Sequence, residues 1–160
     1  MTNNIIIFIH LIAAAIAIGS MVFSIILLLP STDKVSAQQE LEEFSIPYKS
    51  VELLAPTVFT CLLILIGTGI YYLLENYTGQ MALKPGYYNL FGLKLICVVV
   101  AFFLSIYQTF NLRARIANLD LSPENRKIVP KTIQQIKKTT IPVLVTFSLA
   151  LFFGIWLARF

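Results

Sequence analysis

Four apolar runs, near residues 5–30, 51–74, 87–112 and 140–158, leave this chain few ways to fold. Each is about long enough to cross a bilayer, which takes roughly 20 residues of helix. Backbone N–H and C=O groups find no water in hydrocarbon, so a spanning segment is either a helix or a strand of a closed barrel. Barrel strands alternate lipid-facing and lumen-facing residues, and none of these runs alternates. The expected fold is therefore all-α: an integral membrane up-down four-helix bundle with antiparallel neighbours. At 160 residues, the chain has room for one membrane domain, 1–160, and no second one.

Composition points the same way. Hydrophobic residues make up 58% and charged residues 12%, and the mean hydropathy of +0.80 is far from that of a soluble domain. The first run is too long for a signal-peptide core and lacks a basic leader and a small-x-small cleavage site, so it is expected to stay as a helix. Cys61 and Cys97 lie inside apolar runs with no CxxC spacing and read as small buried hydrophobes.

Basic residues set the expected orientation. Lys34 and Lys49 follow the first run, and Arg113, Arg115, Arg126, Lys127, Lys131, Lys137 and Lys138 follow the third. The opposite side has only Lys84 and Arg159. Positive residues beside spans stay in the cytoplasm, which puts both termini outside. Topology thus accounts for the net charge of +4, and no motif adds a nucleic-acid partner. The basic loops suit the anionic headgroups of a lipid bilayer. Residues 36–44 read as a short helix ended by Pro47, and Ser122-Pro123 as another helix start. Glu52 is expected to open the second span on the cytoplasmic side. Pro56 and Pro142 are expected in the first turns of their spans, where proline is tolerated.

Two ionisable residues interrupt the apolar runs: His10, the sole histidine, in the first, and Lys94 in the third. An ionisable group in the hydrocarbon costs roughly 2.5–3.5 kcal/mol on insertion scales, so it normally faces a partner, a cofactor or water. Both helices enter from the same side, and both residues lie about 8–10 Å below that boundary at 1.5 Å per residue. They share a layer. Imidazole can ligate a metal, relay a proton or hydrogen bond across the bundle. A lysine can extend its ammonium to the headgroups, or, when buried, offer its amine as a ligand. Below His10, the small residues Ala13, Ala14, Ala15, Gly19, Ser20 and Ser24 leave space for a packed helix or a flat cofactor. The tyrosines Tyr71, Tyr72, Tyr87 and Tyr88, with Trp156, read as an interfacial aromatic belt. No Walker motif, hydrolase triad or intramembrane carboxylate pair is present, which argues against autonomous hydrolytic or ATP-driven chemistry.

The stretch His10-Leu11-Ile12-Ala13-Ala14-Ala15 leading to Gly19, Phe23 and Pro30 resembles the first helix of the superfamily of CopD-type copper-resistance domains and HemJ-type protoporphyrinogen oxidases. Ala55-Pro56 with Leu65-Ile66-Gly67-Thr68-Gly69 is similar to its second helix, and Phe91-Gly92-Leu93-Lys94-Leu95 to the start of its third. The resemblance implies a bacterial or archaeal plasma-membrane protein binding haem b between helices one and three, with His10 and Lys94 as axial metal ligands. Water or a second protomer's histidine are alternatives to Lys94. It further implies Ala14 against the cofactor, and Lys84 and Arg159, with nearby tyrosines and Asn89, near the propionates. The expected function is electron transfer or protoporphyrinogen-type oxidation, with quinone or porphyrin as partner.

The chain departs from the HemJ pattern in having no tryptophan ahead of Gly19 and no arginine before Arg113. Copper is the weaker metal, because Met21, Met81, Cys61 and Cys97 are scattered in depth around a single histidine. The alternative to a cofactor protein is an accessory subunit, in a homo-oligomer or with other membrane subunits, in which His10 only hydrogen bonds.

Overall fold

The computed structural model describes residues 2–28, 30, 46–78, 86–112 and 129–157. Helix α1 spans Thr2–Phe23, α2 Ile46–Thr78, α3 Tyr87–Ile106 and α4 Val129–Leu157. α1 runs on into a π-helical turn, Ser24–Leu28, and α3 into another, Tyr107–Leu112. The described residues contain no strand. Four stretches within these elements are long and apolar enough to cross a membrane: Asn4–Leu27, Leu53–Glu75, Tyr87–Leu112 and Gln134–Leu157. Large apolar side chains such as Phe8, Leu74, Phe103 and Ile155 face outward.

Two expectations about the loop-side ends change. α2 begins at Ile46 and α4 at Val129, so both prolines lie inside their helices; Pro56 is still in the first turn of its apolar stretch, which starts at Leu53, whereas Pro142 lies about two turns into the one that starts at Gln134. Pro47 sits in the first turn of α2, where its missing N–H removes no intrahelical bond. Glu52 falls within α2, past its start. The short helices expected at 36–44 and from Ser122 lie outside the described residues.

α1 packs mainly on α2, and α3 mainly on α4, giving two helical hairpins; the α2–α3 and α1–α4 seams are sparser. α1 and α3 therefore face each other diagonally instead of touching along their length. The core joins Ala13, Ala14, Ala17 and Met21 of α1 to Val58, Cys61, Leu62 and Leu65 of α2 and to Val143 and Phe147 of α4. Three alanines let the backbones approach closely. Of the small residues expected to form a groove, Ala15 and Gly19 instead face outward.

The hairpins also resemble each other. One constant offset along the chain pairs Leu11 with Leu95, Ile12 with Ile96, Ala17 with Ala101 and Leu28 with Leu112. Ala17 and Ala101 are both 0% exposed. In the even helices, a second constant offset pairs Pro56 with Pro142, Thr60 with Thr146, Leu63 with Leu149 and Leu65 with Leu151. Thr60 Oγ1 donates to Pro56 O and Thr146 Oγ1 to Pro142 O, each at 2.9 Å.

The two ends of the bundle are held differently. At the end bearing Gln108, Phe59 stacks on Phe102 and meets Phe110 edge-on, with ring centroids 6.0 and 5.7 Å apart, closing the α2–α3 seam. Thr109 Oγ1 donates to Ala55 O across the same seam at 3.2 Å. At the end bearing His10, a cavity separates the hairpins.

Candidate functional site

His10 Nδ1 lies 2.6 Å from Thr68 Oγ1 on α2. A threonine hydroxyl has one proton. That proton is directed at carbonyls of its own helix, 2.7 Å to Ile64 O and 3.1 Å to Leu65 O. In the tautomer that carries its hydrogen on Nδ1, His10 donates to Thr68 Oγ1 and keeps a lone pair on Nε2. Among the described residues His10 makes no other hydrogen bond. An imidazole whose outer nitrogen donates to a fixed acceptor is the usual arrangement of a metal-ligating histidine.

Lys94 reaches toward α4. A Cβ built on Gly154 would lie 3.4 Å from Lys94 Nζ and 3.7 Å from its Cε, ordinary contact distances, so the lysine packs over Gly154 and only a side chain larger than alanine there would meet it. Among the described residues Lys94 has no hydrogen-bond or ion-pair partner. Under the hairpin offset Thr68 corresponds to Gly154 as His10 corresponds to Lys94, so each ionisable group rests on the equivalent position of its own hairpin partner.

Both side chains line one cavity of about 360 Å³ to which all four helices contribute. Its deeper wall is apolar and buried, formed by Leu62, Leu65, Phe147 and Ala150. Leu11, Ile70, Leu95 and Ile155 also line it, yet each is more than half exposed, at 60, 52, 52 and 63%. The cavity thus opens sideways through the bundle's apolar exterior.

Ala14 lies elsewhere: it is 6% exposed and packs within the core cluster. Lys84 and Arg159 are outside the described residues. Tyr71 and Tyr72 pair edge-on, as do Tyr87 and Tyr88, at the His10 end. Cys61 is buried and Cys97 half-buried, both as free thiols. No cluster of three His, Cys, Asp or Glu residues exists among the described residues.

Sequence reasoning anticipated His10 and Lys94 as a pair but missed Thr68 as the acceptor and Gly154 as the lysine's seat. A hydroxyl inside an apolar run was the available signal for Thr68. Gly154 had none beyond being a glycine in a span. Comparison of the chain with protein-family models, with curated proteins and with solved structures gives no significant match.

Proposed function

We propose that this chain is an integral membrane protein that binds b-type haem through His10 and Lys94 and serves electron transfer or a protoporphyrinogen-type oxidation. The observation that carries the reading is the convergence of the two residues on one four-helix cavity, with His10 Nδ1 in contact with Thr68 Oγ1. The residues fit such a cofactor. The cavity's volume of about 360 Å³ lies within the roughly 300–1,000 Å³ of small-molecule sites, and its walls are apolar apart from the candidate ligands His10 and Lys94. Bound haem would supply reversible one-electron chemistry whose potential depends on the axial pair. The chain's own residues do the rest: Thr68 orients His10, Gly154 makes room for Lys94, and the leucines and phenylalanine of the deep wall exclude water. The sideways opening suits a membrane-dissolved partner such as a quinone or a porphyrin. Both termini on the outer face, as the basic loops suggest, would put the cavity nearer the outer surface.

The test is a reduced-minus-oxidised visible spectrum with pyridine-haemochrome quantification on protein purified in mild detergent, for wild type, His10→Ala and Lys94→Ala. Near-stoichiometric b-type bands that vanish or shift in both variants are expected. A colourless wild type, produced with haem available, would overturn the reading.

One observation favours a second reading, an accessory subunit. Ala15 and Gly19 face outward four residues apart on α1, the small-xxx-small spacing through which membrane helices dock. That reading predicts colourless protein that co-purifies with other membrane subunits. A copper-handling role, the third reading, predicts stoichiometric copper without porphyrin. It has less behind it, because no group of three or more His, Cys, Asp or Glu residues comes together among the described residues.

A further inference from the structure

A second polar site lies at the other end of the bundle, and it is independent of His10 and Lys94. Ser24 and Gln108 are paired by the same offset that pairs His10 with Lys94, about 21 Å further along the helices at 1.5 Å per residue. Ser24 opens the π-helical turn of α1, and Gln108 lies in that of α3. π-helical turns inside α-helices recur at functional sites. Here they coincide with buried polar side chains, Ser24 8% and Gln108 9% exposed.

The hydrogen-bond inventory around Gln108 is unequal. Its Nε2 donates to Thr139 Oγ1 at 2.9 Å and to Thr140 Oγ1 at 3.0 Å, which uses both amide hydrogens. The threonine hydroxyls in turn donate to carbonyls of α4. Gln108 Oε1 is then left as an acceptor without a partner among the described residues. The Ser20 and Ser24 hydroxyls have none there either. All three residues, with Thr140, line a cavity of about 30 Å³. Each of these oxygens keeps some accessible surface, unlike the fully enclosed Ser105 Oγ, so the space beside them can take a polar occupant that supplies the missing hydrogen bonds.

We infer that this cavity holds one resident water molecule bridging Ser24 Oγ on one hairpin to Gln108 Oε1 on the other. The volume suits it: a buried water needs at least roughly 10–15 Å³ of such space and two to four polar partners. Water can donate to Gln108 Oε1 and exchange a hydrogen bond with Ser24 or Ser20. A monovalent cation fits the chemistry less well, because no charged side chain lines the cavity and an uncompensated charge in low dielectric is costly. The buried layer of Ala17, Val143 and Phe147 lies between this site and the His10 cavity, so the water is a local bridge between hairpins and not part of a continuous aqueous path.

The test is a high-resolution structure of the full-length protein in lipid nanodiscs, for wild type, His10→Ala and Ser24→Val. One density peak at about 2.7–3.2 Å from both Ser24 Oγ and Gln108 Oε1 is expected in the first two and its loss in the third. An empty cavity, a Gln108 amide turned to bond Ser24 directly, or a peak with the shorter contacts of a cation would each overturn the inference. A solution readout stands beside it. Ser24 and Gln108 share no direct hydrogen bond, so Ser24→Ala and Gln108→Leu should act independently on unfolding unless a molecule joins them. Non-additivity of about twofold or more in the unfolding equilibrium constant is expected, and additive effects would count against the bridge.

Discussion

Lys94 Nζ packs over Gly154, 3.4 Å from where a Cβ on that residue would stand. The lysine's position in the cavity is therefore set from the neighbouring helix as much as from its own. Alanine in place of Gly154 makes only an ordinary contact, whereas leucine must displace the lysine. Gly154→Ala should bind ligand nearly as wild type, and Gly154→Leu should lose most of its bound haem while costing about 1–3 kcal/mol of stability through overpacking. Haem per protein and thermal unfolding in detergent, measured together, check this; full occupancy in Gly154→Leu would show that Lys94 is not needed where it lies.

The His10–Thr68 contact gives a subtler prediction. Thr68→Val keeps the shape but removes the acceptor for His10 Nδ1, and loss of such a supporting hydrogen bond typically weakens a metal site about 10–100-fold. Thr68→Ser should restore it. Competition for haem against an apo-protein acceptor measures the difference, and equal retention by the valine and threonine forms would remove Thr68 from the site.

Ser105 predicts a gain. Its Oγ is fully buried with no hydrogen-bond partner among the described residues, and it lies on α3 between the two cavities. An unsatisfied buried hydroxyl carries its desolvation cost uncompensated, so Ser105→Ala should stabilise the bundle by about 1 kcal/mol. A lower unfolding midpoint for the alanine form would mean that the hydroxyl has found a partner, such as an ordered water.

Much of the architecture was legible, because hydrocarbon allows so few backbone solutions. Four runs became four helices, each long and apolar enough to cross a membrane. The loop-side ends were not, since α2 and α4 continue past the apolar runs into polar residues that hydropathy cannot assign to helix, and Pro56 and Pro142 ended up inside. The pairing of His10 with Lys94 followed from depth alone, but adjacency did not. Depth fixes a residue's layer and not its azimuth, and α1 and α3 face each other diagonally. Likewise the small residues of α1 are alike in sequence, yet helical phase turns Ala13, Ala14 and Ala17 inward and Ala15 and Gly19 out. The correspondence between hairpins escaped notice because it rests on a few identities among apolar residues.

That helical phase is testable on its own. Ala17 is 0% exposed at the α1–α2 contact, and a leucine there has no space, so Ala17→Leu should destabilise by about 1–3 kcal/mol. Ala15→Leu points outward and should be close to neutral. Thermal unfolding of both in one detergent separates them, and equal effects would contradict the packing of α1.

The correspondence between hairpins supplies the strongest functional prediction. His10 rests on Thr68, and the equivalent positions in the other hairpin are Lys94 and Gly154. Installing Lys94→His together with Gly154→Thr should recreate the same pair facing the same cavity, with the introduced threonine hydroxyl as acceptor for the new imidazole in place of the vacated lysine. Because bis-imidazole ligation differs from imidazole–amine ligation in both band position and potential, the double variant should retain near-stoichiometric haem with a shifted spectrum. Lys94→His alone should bind less, lacking the acceptor that orients the ring, and Lys94→Leu less again. A double variant that folds, judged by helicity and a cooperative melt, yet binds no more haem than Lys94→Leu would show that the two sides of the cavity are not equivalent, even if His10 remains a ligand.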